Sequence, residues 1–192
     1  MASQIENISV TQSSMENLRE RVRWALIEKE NVPKKASLKK EKEMEERKWG
    51  NSMIGQENNG QWTTKLGEQL VYDVLEARGE NPRKVEKKGG FVPDWETDEY
   101  IYEVKTSNWW VAGTAGEKVL GTWIKYQGIP ELYGKPLRIV CVAQQEWELE
   151  YGKTKYFGEN VTEKTKQVLD LARSWGIEYV RFRDLVEVLC LN

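Results

Sequence analysis

Histidine is absent from all 192 residues, and with it goes a large share of hydrolytic chemistry. A Ser-His-Asp or Cys-His nucleophile depends on an imidazole base. Cysteine is scarce as well: Cys141 and Cys190 alone cannot complete a four-ligand zinc site without histidine. Two such thiols read as reduced groups of an intracellular, cytoplasmic chain. Long hydrophobic runs are missing, since none nears the roughly 18 residues a membrane helix needs. The opening MASQIENISV has neither the basic nor the apolar region of a signal peptide. Hydrolysis, if the chain performs it, falls to carboxylates, lysines, tyrosines or a metal held by oxygen.

An excess of charge of one sign is also lacking. There are 29 basic and 31 acidic side chains, a net charge of −2, so a polyanion would have to be met by local basic patches. What the chain does have is 39% hydrophobic residues at a length that supports a buried core. Residues 1–50 read as an N-terminal helical extension and residues 51–192 as the main domain. In the extension, Leu18, Val22, Ala25 and Leu26 recur at helical spacing and Pro33 stops that helix. A second, highly charged helix is expected over 37–49. The stretch from Lys29 to Lys42 holds six lysines against Glu30 and Glu41. It is either a solvated helical face or an arm that touches phosphates, and the whole extension is a candidate for dimerisation or for clasping DNA.

After a turn-rich joint over 50–61, the spacing predicts a helix over 64–78 with Leu66, Leu70, Val74 and Ala77 on one side and Gly79 as its stop. Strands are expected near 84–85, 90–94 and 100–105, and a helix near 117–126. LRIVCVA at 137–143 has the unbroken apolar character of a strand covered on both faces. Asn160 with Glu163 resembles a capping box, opening a helix that Gly176 ends before a strand over 177–183. Strand, helix, strand implies a right-handed crossover. The fold class is therefore α/β, a mixed sheet flanked by helices.

The chemistry concentrates in GGFVPDWETDEYIYEVKTSNWW, residues 89–110. Alternation along a strand sets Ile101, Glu103 and Lys105 on one face and Tyr100, Tyr102 and Val104 on the other. Asp94, at the end of the preceding short strand, can fold back beside Glu103. Two carboxylates that close repel unless a cation lies between them. Oxygen donors without histidine or thiolate select Mg²⁺, with Mn²⁺ as an alternative. The triplet Asp73, Glu86 and Lys88 has the same form, but its last two members lie in KVEKK, a segment with only Val85 to bury and at best an edge strand.

Pro93-Asp94 followed by Glu103-Val104-Lys105 resembles the signature of the PD-(D/E)XK nuclease superfamily, which includes most type II restriction endonucleases. The resemblance spans about residues 64–183 and implies a restriction-endonuclease-like sheet. It implies that Asp94, Glu103 and the Val104 carbonyl hold the metal, with Lys105 as a catalytic cation. Glu68, at the rim of the first domain helix, matches a glutamate that many members carry as a further catalytic and metal-site residue. The implied activity is Mg²⁺-dependent cleavage of double-stranded DNA, leaving 5′-phosphate and 3′-hydroxyl ends, by a homodimer. A homing or junction-repair role within the superfamily, or a non-catalytic nucleic-acid-binding module of this fold, are the competing expectations. Candidate DNA contacts are Lys118 and Lys125 around the loop 113–116, and Arg83, Lys87 and Lys88, with Lys84, in a second cluster. Trp109 and Trp110 either stack on bases or pack beneath the sheet.

Overall fold

A computed structural model describes residues 16–27, 31, 39–110 and 119–187. The described residues contain five strands in one sheet, ordered β1-β2-β3-β4-β5. The strands are β1 (Arg83–Lys84), β2 (Trp95–Glu96), β3 (Ile101–Ser107), β4 (Leu137–Ala143) and β5 (Ile177–Arg181). Strands β1, β2 and β3 form an antiparallel meander, while β3, β4 and β5 run parallel. Helices α1 (16–25), α2 (Lys39–Met53) and α3 (Trp62–Ala77) precede the sheet. Short helices α4 (Thr122–Lys125) and α5 (Ile129–Tyr133) join β3 to β4. Helices α6 (Gln144–Tyr151) and α7 (Glu163–Ser174) join β4 to β5, and α8 (Phe182–Glu187) follows. No helix among the described residues is long and apolar enough to cross a membrane.

The sheet separates two cores. On one face Tyr102, Val104, Val140 and Val142 pack with Leu70, Val71 and Val74 of α3. On the other, Ile101, Ile139, Cys141 and Ile177 pack with Trp123, Ile129, Leu169 and Ala172. Covered on both faces and paired on both edges, β4 needs the continuous apolar sequence it has. In α3, Leu66, Leu70, Val74 and Leu75 are fully buried, each such side chain contributing on the order of 2 kcal/mol. Gly79, at φ 76°, takes the left-handed turn that ends this helix.

The N-terminal helices are bound into this core. Leu18, Val22 and Ala25 of α1 join the α3 face of the sheet. Arg21 pairs with Asp73 at 2.6 Å, which accounts for the acid of the spare triplet. The buried Glu46 of α2 accepts from Trp24 Nε1 at 2.8 Å and from the Trp109 backbone N–H at 3.1 Å. The expected extension thus shares its buried surface with the main domain.

Several boundaries differ from the sequence expectation. Helix α2 runs through Gly50 to Met53, so the joint begins later. The predicted strand over 90–94 is only an isolated bridge, Lys88 with Phe91, and the ladder forms instead at Trp95–Glu96. Helix α7 is capped by Thr162, whose hydroxyl accepts from the Thr165 N–H at 3.2 Å, rather than by Asn160. Helix α6 was unforeseen because QQEWELEY carries no apolar stripe; Ala143, at φ 58°, turns the chain directly from β4 into it. The strand expected over 177–183 ends at Arg181, where α8 begins. Pro33, most of the lysine-rich stretch, Lys118, the loop 113–116 and Cys190 lie outside the described residues.

Helix α3 approaches β3 closely at Gly67, where a methyl group would overlap the Thr106 hydroxyl. Gly67→Ala should lower stability by about 1–3 kcal/mol through overpacking, read as a fall in the urea midpoint. In a Thr106→Gly background, which removes every Thr106 side-chain atom that the new methyl group would meet, Gly67→Ala should cost less than it does in the parent. An equal cost in both backgrounds would show that the contact is not the source.

Candidate active site

The meander places the acidic pair. Asp94 N–H donates to the Tyr102 carbonyl at 3.0 Å, extending the β2–β3 ladder one residue beyond Trp95. That register sets Asp94 opposite Glu103. The expectation had Asp94 ending a strand; it instead precedes one, and the turn follows at Thr97–Tyr100. Residues two apart on a strand present their backbone groups to the same edge, so the Val104 N–H and carbonyl face the side on which Tyr102 meets β2. The strand β2 runs no further there. Asp94 Oδ2 takes the place of a neighbouring backbone and accepts from the Val104 N–H at 2.6 Å.

Glu103 and Lys105 share a face, as alternation requires, with the Lys105 ammonium donating to Glu103 Oε1. The same oxygen accepts from the Tyr126 hydroxyl at 2.9 Å. Lys125 Nζ in turn donates to the Tyr126 oxygen at 3.1 Å. One lysine and a tyrosine therefore converge on one carboxylate oxygen, and a second lysine backs the tyrosine. Glu103 Oε2 and Asp94 Oδ1 have no hydrogen-bond donor among the described residues.

The electrostatics follow from burial. Asp94 is raised well above the ordinary carboxylate range, by burial first, then by the charges of Glu103 and Glu68. The Val104 N–H and Lys105 oppose that rise. Burial and the adjacent Glu103 raise the Tyr126 phenol, so it remains a donor at neutral pH. Cys141, the register partner of Lys105, is a wholly buried thiol raised by desolvation. Its chemistry is that of a small apolar side chain.

Among the described residues no three His, Cys, Asp or Glu side chains cluster tightly enough to hold a metal ion. Glu68 is half-buried in α3 and its charge acts on Asp94, but it does not complete a compact triad with Asp94 and Glu103. The donor set that remains is two carboxylates with one free oxygen each and the Val104 carbonyl at the open edge. An oxygen-only set of that size fits Mg²⁺, which keeps several waters when protein-bound.

The expected DNA contacts fare differently from one another. Lys125 is exposed and reaches the site through Tyr126. Lys87 is exposed, and the Lys88 ammonium lies 4.9 Å over the Tyr133 ring. Arg83 is occupied by Asp98 at 2.9 Å and Glu96 at 3.2 Å. Trp109 is buried and its indole N–H donates to the Trp24 carbonyl at 2.7 Å, which leaves no ring face for a base. Trp110 packs, half-buried, against the same core. Tyr126 was not foreseen, because it lies 23 positions from Glu103 and only chain folding brings them together.

No family model, curated protein or solved structure matches this chain. What the site can do is a question for its geometry.

A buried acid outside the site is Glu146. Glu146 on α6 accepts from the Arg183 backbone N–H at 3.0 Å, and its pKa is pushed up to about 7, chiefly by burial. A carboxyl raised in the folded state binds protons more tightly there than in the unfolded chain, so stability is lost as pH rises from about 4.5 through 7. Glu146→Gln should flatten that fall, measured as the urea midpoint between pH 4.5 and 8. Parallel pH profiles for the two proteins would contradict the assignment.

Proposed function

We propose that this protein is a divalent-metal-dependent endonuclease that hydrolyses phosphodiester bonds of double-stranded DNA, in the manner of the PD-(D/E)XK enzymes its residues resemble. The observation that carries the reading is the juxtaposition of Asp94 and Glu103 across the end of the β2–β3 ladder, with the Lys105 ammonium on Glu103. In this reading Asp94, Glu103 and the Val104 carbonyl hold Mg²⁺. The bound ion would supply Lewis-acid polarisation of the phosphate and acidify an attacking water.

The chain's own residues supply the rest. Lys105, fixed by Glu103, presents a positive charge where negative charge grows on the phosphorus oxygens. Tyr126 holds one oxygen of Glu103 and leaves the other for the cation. Lys125, held at the Tyr126 oxygen, offers a second cation to the incoming polyanion. No imidazole is needed at any of these positions. Site-specific cutting of the restriction type is the form of the activity we favour, with a homodimer acting on both strands.

The test is supercoiled plasmid with Mg²⁺, alone and with EDTA. Nicking or linearisation should require the metal, and Asp94→Asn, Glu103→Gln and Lys105→Ala should each lower the rate by about 10²–10³-fold. Tyr126→Phe should lower it less, about tenfold, and raise the Mg²⁺ concentration at half-maximal rate. DNA binding without cutting at any metal concentration would favour the non-catalytic module instead. Discrete fragments on sequencing would support site specificity; a smear would count against it.

A further inference from the structure

The chain's N-terminal residues help enclose a cleft that no part of the proposed reaction has yet used. The cleft holds about 480 Å³ and lies between the end of α2, the outer side of α3 and the β1–β2 hairpin. That volume is within the range of small-molecule sites, about 300–1,000 Å³. Met53 and Ile54 provide its apolar surface, and Lys65, Glu68, Lys84 and Trp95 line it with charge and an indole.

It lies on the α3 side of the sheet and meets the strand of the acidic pair through Trp95. Trp95 directly follows Asp94, and its indole N–H donates to the Glu68 carbonyl at 2.9 Å. Glu68 thus belongs to the cleft wall and is joined through one hydrogen bond to the residue after Asp94. A polymer held by a phosphate at Asp94 and Glu103 has to continue past the site, and the cleft begins at the residue that follows Asp94.

Its chemistry suits a nucleotide. Arg21 is neutralised by Asp73 at 2.6 Å, so the remaining balance is two ammonium groups, Lys65 and Lys84, against the Glu68 carboxylate. Neither lysine is paired with a carboxylate among the described residues. Lys84 is held 3.7 Å over the Trp95 ring, which fixes the ammonium without cancelling its charge. Two cations suit a phosphate, and the thioether and aliphatic surface suits the flat face of a base. Gln56, whose oxygen accepts from Asn59, keeps its amide nitrogen for a base edge, and Gln69, whose nitrogen donates to Asp73, keeps its oxygen.

We propose that this cleft is a nucleotide subsite, taking one nucleotide of the DNA strand next to the scissile phosphate, with Lys65 and Lys84 on its phosphate and Met53 and Ile54 against its base. The proposal rests on the nuclease reading and extends it. It also gives the N-terminal helices a part in substrate binding that the sequence pattern left open between dimerisation and DNA clasping.

The experiment uses the full chain and a fluorescein-labelled DNA duplex, with binding read by anisotropy in EDTA and cleavage read separately in Mg²⁺. Lys65→Ala and Lys84→Ala should each weaken binding severalfold and lower the slope of log affinity against log salt by about one, as loss of a phosphate contact does. Ile54→Trp, which fills the cleft, should weaken binding at least tenfold and leave the salt slope unchanged. Lys166→Ala, on the exposed face of α7, is the control and should bind as the parent does. Parental affinity, salt slope and cleavage in all three cleft variants would overturn the subsite and leave the nuclease reading standing. A free mononucleotide that binds the parent but not the variants, with duplex binding unchanged in them, would also overturn it. A parent that neither binds nor cuts DNA would sink both.

Discussion

One hydrogen bond organises the candidate site: the Asp94 carboxylate accepting from the Val104 backbone N–H where β2 has run out. A strand edge inside a folded domain needs a partner for each buried N–H. Here a side chain supplies it, and so a charged group is drawn into a half-buried position beside a second acid. Asp94 and Glu103 then oppose one another, and burial makes that opposition expensive. Relief comes from Lys105 on one side, and a cation between the two carboxylates would add to it.

The architecture around this bond is built to hold it still. Strand β3 is paired to β4 along its whole length, and Tyr102 and Val104 are locked against α3 on the face away from Glu103. The close approach of α3 at Gly67 and the Trp95–Glu68 hydrogen bond tie that helix to both strands that carry the acids. On the opposite face Tyr126, from the segment after α4, closes over Glu103. Placement of the proposed chemistry on a rigid sheet, with helices on either side, limits how far the acids can relax apart. The N-terminal helices add to this, since Glu46 links Trp24 of α1 to the backbone that follows β3.

Much of the scaffold was legible as pattern. The alternation of Ile101, Glu103 and Lys105 against Tyr102 and Val104 is a local property of extended chain, and the two cores divide along it. The unbroken apolar run at 137–143 and the helix ended by Gly79 were likewise readable, because burial on both faces and a left-handed turn each impose a composition. Where pattern failed, the cause was tertiary. The β2 ladder formed at Trp95–Glu96 because Trp95 is buried against Tyr72 and α3, not because of its own strand preference. Helix α6 has no apolar stripe to announce it, and it forms on the turn at Ala143.

By itself the sequence determined which chemistries were open: no imidazole, two thiols, and a strand that presents an acid and an amine on one side. It also determined the helix and strand periods, since these depend on neighbours a few residues apart. Only the tertiary structure decided that Tyr126 joins Glu103 with Lys125 behind it, that Trp109 is spent in the core, and that Arg83 is neutralised by Asp98 and Glu96. It decided too that Glu68 stands at a cleft wall rather than in a tight triad with the other two acids. Contacts between residues 13 to 85 positions apart depend on how whole elements pack, and no local spacing encodes them.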